Sequence, residues 1–184
     1  MIDTYSIICR FYESGSQLCQ LLIKHSTQVA ELASQLAQRL IDNHTPVDID
    51  FVVEAAMFHD IGVIHTDAPG IYCHGTEPYI RHGVIGRSML DEMGLFRHAL
   101  VCERHTGAGL TLQEIEERDL PLPHRDLLPV SIEEKLVCYA DKFFSKSHPD
   151  DGPRSLEVTR SKLLKFGAGT VARFDEMAEL FGAP

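Results

Sequence analysis

The strongest regular pattern along the chain is an apolar stripe with helical spacing over about residues 16–41. Its apolar members recur at intervals of three and four positions: Leu18, Leu21, Leu22, Val29, Leu32, Leu36 and Leu40. This spacing places them on one face of an amphipathic helix, and His25 lies on or near the same face. The turn-forming sequence Asn-His-Thr-Pro at 43–46 predicts the end of this helix.

Helical patterning continues through the rest of the chain. Further helices are predicted from 48 or 50 to about 60, at 81–92, 96–104 and 111–117, from 131 to about 143, and at 155–165 and 171–180. Residues 63–79 contain two Pro and two Gly, which predict a long loop of the kind that is often functional. No segment has the pattern of a β-hairpin or of a parallel strand series. We therefore predict an all-α fold in which residues 1–184 form a single domain and the helices within 155–181 pack on the rest.

Composition and charge narrow the classes of partner and compartment. The chain has 17 Lys and Arg against 27 Asp and Glu, so its net charge of −10 argues against a nucleic-acid polymer or an anionic membrane as a general partner. No apolar run approaches the ~20 residues that span a bilayer. Five Cys without C-x-x-C spacing argue against a disulfide framework, and a reducing cytoplasm is the expected location. Apolar faces on the last helices would permit a homodimer.

Ten His are present, and several stand beside acidic residues in apolar surroundings. Six side chains form the candidate set: His25, His59, Asp60, His82, His105 and Asp141. Burying a carboxylate among apolar residues is costly unless it is paired or coordinates an ion. Any one of these His alone is more often a hydrogen-bonded core residue. Together, imidazole and carboxylate groups suit Zn, Fe, Mn, Ni or Co, and the interior of a helical bundle can bring them together.

The order of these residues, H…HD…H…H…D, resembles the signature of the HD-domain metal-dependent phosphohydrolases, and residues 59–62 have its His-Asp-Ile-Gly form. The similarity covers about residues 16–146. It includes Arg-His-Gly-Val-Ile-Gly at 81–86, Arg-His-Thr-Gly-Ala-Gly at 104–109 and the segment 133–141. All these elements in order resemble a branch of small, stand-alone proteins of this kind, which implies the HD-domain, phosphodiesterase-like helical bundle.

The resemblance implies a two-metal phosphohydrolase with one shared ligand. In the family, His25, His59, Asp60 and Asp141 would hold one divalent ion. A second ion would be held by His82 and His105, with Asp60 bridging and with His59 and Asp60 as the catalytic pair. A metal-activated hydroxide would then cleave a phosphoester or phosphoanhydride of a small nucleotide-like substrate. Nucleoside monophosphates, dinucleoside polyphosphates, cyclic nucleotides and other phosphoesters all remain open as substrates.

One position departs from the family pattern. Many of these proteins carry Lys or Arg directly after the Gly of the motif, whereas this chain has Val63. The contact with the substrate phosphate is therefore expected from elsewhere. The candidates are Arg81, Arg104, Lys142, Lys146 and the loop residue His65.

Two other functions share the same residues. The same six ligand types, in the same order, also resemble mixed-valence di-iron oxygenases that act on a phosphonate or a polyol. Ligand count cannot separate these from hydrolases, although the stand-alone form favours hydrolysis. A non-catalytic HD module is a third class, and the presence of all six ligands disfavours it.

Overall fold

Nine α-helices make up most of residues 2–184, the part of the chain that the structure, a computed structural model, describes. In chain order they are α1 (Thr4–Ile8), α2 (Gln17–Asp42), α3 (Ile49–Phe58), α4 (His82–Asp91), α5 (Phe96–Arg104), α6 (Leu112–Glu117), α7 (Ile132–Asp141), α8 (Leu156–Leu163) and α9 (Ala168–Phe181). The predicted all-α class is confirmed. No helix within the described residues is both long and apolar enough to cross a membrane.

Side-chain caps set where several of these helices begin. Ser16 accepts a hydrogen bond from the backbone N–H of Cys19 at the start of α2. Asp48 and Ser131 cap α3 and α7 in the same way. Such caps satisfy N–H groups that the helix itself leaves without partners. Helix α1 was not predicted, because five residues are too few to show a helical period.

The segment predicted as a long loop contains regular structure, so the expectation of no strands was wrong there. Three short strands form a small sheet: β1 (Thr66–Ala68), β2 (Cys73–His74) and β3 (Glu77–Pro78). Their order is β2-β1-β3, with β1 antiparallel to β2 and parallel to β3. Strands of two or three residues are too short to show the alternation from which strands are predicted.

Two apolar clusters carry the helices that present the candidate residues. The larger one is formed by α2, α3, α7 and α9, with Val29, Val52, Leu136 and Phe174 fully buried. The second lies under α1, α4 and α5. There the Tyr12 hydroxyl donates to the carbonyl of Ile61 at 2.7 Å and accepts from the N–H of Ile64 at 3.2 Å. These bonds fix the turn that directly follows His59 and Asp60.

A close backbone approach joins this turn to α4. The turn, Ile61–His65, is 3-10 helical. A Cβ added at Gly62 would lie 2.2 Å from the carbonyl oxygen of His82 and 2.4 Å from the backbone nitrogen of Gly86. Only a residue without a side chain allows these two backbones to touch. The glycine of the His-Asp-Ile-Gly motif therefore sets the distance between the His59–Asp60 pair and His82.

We predict that Gly62→Ala destabilises the fold because backbone atoms, unlike side chains, cannot rotate away. The expected cost is on the order of 2–3 kcal/mol, or roughly 5–10 °C in the midpoint of thermal unfolding. The matched control is Gly70→Ala, since a Cβ at Gly70 meets nothing within 4 Å. Equal midpoints for the two variants would contradict the proposed close approach.

Candidate metal centre

The structure brings all six candidate residues together in the interior. Their ligand atoms form two groups within which every atom lies within 4.8 Å of the others. One group consists of His25, His59, Asp60 and Asp141. The other consists of Asp60, His82 and His105. Asp60 belongs to both groups, as the resemblance implied, and all six side chains are buried.

Most of these ligands lie at or next to helix ends. His59 and Asp60 directly follow α3, and His82 is the first residue of α4. His105 directly follows α5, and Asp141 is the last residue of α7. His25, within α2, is the exception. At a helix end the chain can change direction, which allows the adjacent residues His59 and Asp60 to approach one centre from two sides.

Three of the imidazoles are held in the same way. The Nδ1–H groups of His59, His82 and His105 donate to the carbonyls three residues earlier, at 2.6, 2.7 and 2.8 Å. We assign this tautomer from the acceptor character of the carbonyl partner. Nε2 of each ring therefore faces the interior, which is the orientation of a metal-binding histidine. Burial lowers the pKa of His59, but the carboxylates of Asp60 and Asp141 outweigh it and raise this pKa to about 9, so the His59 ring is charged at pH 7 and would release its Nε2 proton to a metal.

The geometry at His82 and His105 calls for a cation between them. Their Nε2 atoms face each other at 3.0 Å, and each lies 3.4 Å from Oδ1 of Asp60. With both Nδ1 atoms protonated, two lone pairs and a carboxylate oxygen converge, and these acceptors repel one another. Burial and the neighbouring His105 lower the pKa of His82 to about 3, so its ring is neutral at pH 7. A divalent ion would satisfy all three acceptors.

The other carboxylate oxygen of Asp60 faces the first group. Its Oδ2 lies 3.1 Å from Nε2 of His59 and 3.4 Å from Nε2 of His25. Asp141 Oδ1 lies 3.0 Å from the same atom of His25. Asp60 is thus the bridging residue, with one oxygen toward each group.

Several buried atoms of this centre lack hydrogen bonds. They are His25 Nδ1, His59 Nε2 and both carboxylate oxygens of Asp60. Lys146 Nζ lies 2.6 Å from Oδ2 of Asp60, an ion pair whose angles do not make it a hydrogen bond. Burial alone would raise the pKa of Asp60, but the charges of His59 and Lys146 outweigh it and hold this pKa well below its usual range. An ionised, wholly buried carboxylate with free lone pairs fits a metal ligand.

A cavity of about 770 Å³ opens onto this centre. His82, His105 and Asp141 are among its lining residues, together with two of the predicted phosphate contacts, Lys142 and Lys146. Lys142 Nζ donates to the carbonyl of His105 at 2.9 Å and to Oδ2 of Asp141 at 2.6 Å. The volume lies in the range of sites for small ligands.

The other three predicted phosphate contacts do not line this cavity. Arg81 pairs with Glu77 at 3.1 Å, and both it and His65 border a separate, smaller pocket. Arg104 pairs with Glu134 at 2.9 Å. Arg81 and Arg104 each precede a ligand histidine, but side chains adjacent along a helix point about 100° apart. Both arginines are therefore directed to carboxylates outside the cavity.

Sequence reasoning missed other residues of the cavity wall. Tyr79 stacks on the ring of His82, with centroids 4.7 Å apart and an interplanar angle of 24°. Four further basic residues also line the cavity: Arg118, Arg154, Lys162 and Lys165. They come from separate elements late in the chain, and no spacing relates them to the motif. A count of charge by sequence position could not have indicated that they converge.

The match to a family model agrees with this geometry. The model of the HD domain matches residues 22–145, which is more than half of the chain and includes all six ligands. The protein therefore belongs to the HD-domain family. The buried His and Asp groups are compatible with divalent metals, as expected for a superfamily of metal-dependent phosphohydrolases.

Curated relatives are similar over much of the chain but are longer than it. An uncharacterized protein, MJ0778, of Methanocaldococcus jannaschii is 39% identical over 121 residues, which are 65% of this chain and 64% of that protein. Two proteins named tRNA (cytidine(56)-2′-O)-methyltransferase also match. The one from Thermoplasma volcanium is 34% identical over 93% of this chain and 45% of its own length. The one from Picrophilus torridus is 33% identical over 68% of this chain and 32% of its own length.

The chain thus spans between about a third and two thirds of the length of these relatives. A comparison with solved structures finds no significant match. The family is therefore established from the family model and the relatives, and the arrangement of the ligands from the structure described above.

We predict that the purified protein holds about two transition-metal ions per chain, as paired ligand sets do. His59→Ala should remove the metal of the first group, and His82→Ala that of the second. Elemental analysis of each variant measures the content. The control is His124→Ala, an exposed histidine outside both groups. Unchanged metal content in His82→Ala would indicate a mononuclear centre.

Proposed function

We propose that this protein is a metal-dependent phosphohydrolase that cleaves a phosphoester or phosphoanhydride of a small, nucleotide-like substrate. The observation that carries the proposal is the pair of buried ligand groups that share Asp60 and open onto a cavity lined by cationic side chains. A shared carboxylate keeps two ions close together, which is the arrangement that acts on both the attacking and the leaving oxygen of a phosphate.

The ligand types support a pair of divalent transition metals, with Fe, Mn, Zn, Ni and Co as candidates. Held by these residues, two such ions would supply Lewis acidity and a nucleophilic water at neutral pH. The chain itself fixes the ligands. Carbonyl oxygens orient the imidazoles of His59, His82 and His105, and burial in the centre keeps solvent from their Nε2 atoms.

Lys142 and Lys146 are the residues best placed to bind the substrate phosphate. Both line the cavity, and each has its ammonium group beside a carboxylate of the centre. A cation fixed beside the reacting group stabilises the negative charge that develops on phosphoryl oxygens during transfer. Lys142 is anchored by the carbonyl of His105 as well, which holds its charge in place before substrate binds.

The methyl transfer named for two relatives is not carried over to this chain. The chain spans less than half of each of those proteins. Its buried imidazole and carboxylate groups would hold metal ions, and such ions activate water.

The five free cysteines support a reducing compartment, and we propose that the reaction takes place in the cytoplasm.

We predict that the protein hydrolyses members of a panel of nucleotides and phosphoesters, also under anaerobic conditions. Asp60→Asn should lower kcat/KM by at least about 10³-fold, because the bridging charge is lost. The matched control, His124→Ala, should retain activity. Turnover of an organophosphonate or a polyol with consumption of dioxygen, and none of the phosphoesters, would instead assign the protein to the di-iron oxygenases.

A second prediction concerns the phosphate contact. Lys146→Met should lower kcat/KM by about 10- to 100-fold while metal content is retained, because a fixed charge is lost and the ligands remain. Lys135→Met is the control, since Lys135 has the same charge but does not line the cavity. A Lys146→Met enzyme with unaltered kinetics would show that the phosphate is bound by other groups.

A further inference from the structure

Some of the basic side chains of this protein pair with carboxylates, and others do not. Within residues 2–184, ten of the 17 Lys and Arg side chains form an ion pair with a carboxylate, and seven do not. Four of those seven line the cavity that opens onto the ligands: Arg118, Arg154, Lys162 and Lys165. We call these four the basic rim. In a chain with ten more acids than bases, such a gathering of uncompensated cations needs an explanation.

The lining of the cavity contains almost no negative charge to offset them. Asp141 is the one carboxylate residue among the described residues of its wall, and it already pairs with Lys142. The wall thus carries six Lys and Arg side chains against one acid. Like charges that are brought together without a counter-ion repel, which makes an anionic ligand the natural complement.

The basic rim is distinct from the lysines beside the ligands. Lys142 and Lys146 pair with Asp141 and Asp60, whereas no rim residue forms an ion pair with a ligand. Two rim guanidinium groups are positioned by neutral carbonyls. Arg154 donates to the carbonyl of Phe144 at 3.0 Å, and Arg118 donates to that of Phe166. These bonds orient the arginines and leave their charge available.

Three of the four rim residues lie beyond the part of the chain that matches the HD model, which ends at residue 145. Arg154 precedes α8, Lys162 lies within it, and Lys165 lies in the 3-10 turn that follows. The basic rim is therefore contributed mainly by the C-terminal helices of this chain, while the ligands come from the shared domain. The shared domain would thus supply the reactive centre, and the C-terminal segment would supply the residues that select the substrate.

Aromatic side chains also belong to the wall of this cavity. Tyr79, Phe144 and Phe166 line the cavity, and Lys165 Nζ lies 4.7 Å from the ring centroid of Phe166. Flat aromatic surfaces beside cations suit a nucleobase, and stacking of a base on such a surface contributes about 1–3 kcal/mol. The wall thus combines features that bind an aromatic group with features that bind anions.

We propose that the basic rim binds a second anionic group of the substrate, separate from the phosphate that meets the ligands. The substrate class is a small nucleoside compound that carries phosphate at two separated positions. This inference rests on the proposed phosphohydrolase function, which it deepens by naming what the basic rim recognises.

The test compares two substrates that differ in one phosphate. Adenosine 3′,5′-bisphosphate and adenosine 5′-monophosphate are assayed with the wild type and with K162A/K165A, whose altered side chains are exposed. The wild type should prefer the bisphosphate in kcat/KM. The double variant should lose at least about 10-fold of that preference, because charge-assisted contacts are removed. Arg10→Ala removes an exposed, unpaired cation outside the cavity and should leave the preference unchanged.

A binding measurement separates this inference from the proposed function. Calorimetry with the methylenephosphonate analogues of both compounds gives affinities that do not depend on turnover. Suppose that no phosphoester is hydrolysed, while K162A/K165A weakens binding of the bisphosphate analogue but not of the monophosphate analogue. The proposed hydrolase function would then be rejected, and the proposed role of the basic rim would be retained. Equal kcat/KM and affinity for the two compounds would overturn the inference, as would a double variant that behaves like Arg10→Ala. Tighter, rim-dependent binding of a short RNA would also overturn it in favour of a polymer.

Discussion

The burial of one bridging carboxylate governs the rest of this structure. Asp60 is wholly buried, and its two oxygens face two separate sets of imidazoles. An ionised carboxylate without compensation costs several kcal/mol in such a place. The chain compensates it in part through Lys146 and His59, and leaves free lone pairs that suit cations. The two ligand groups are therefore one electrostatic unit.

Local contacts within and between the helices position the ligands of that unit. Three ligand histidines sit one turn after the carbonyl that orients them, so the local helical geometry fixes the tautomer. The contact of Gly62 with α4 then fixes how far apart the two ligand groups lie. Tyr12 ties the same turn to the N-terminal part of the chain. Each of these contacts is local and small, and together they leave the ligands little freedom.

Charge is distributed differently at the cavity than in the chain as a whole. The chain as a whole carries a net charge of −10, yet the cavity wall is strongly cationic. Segregation of this kind arises because most cations of the chain pair with neighbouring acids, while the four cations of the basic rim do not. Net charge therefore excludes few small ligands, since these respond to the field where they bind.

The sequence by itself determined the helical class and the six ligands. Helical period and capping residues are local signals, and the order H…HD…H…H…D is readable without coordinates. Tertiary structure decided which cations reach the cavity. Arg81 and Arg104 neighbour ligands in sequence but point to Glu77 and Glu134, because successive helical side chains diverge. The basic rim depends on contacts between segments that are distant in the sequence, and the strands near residue 70 are very short. Neither feature therefore produces a periodic pattern in the sequence.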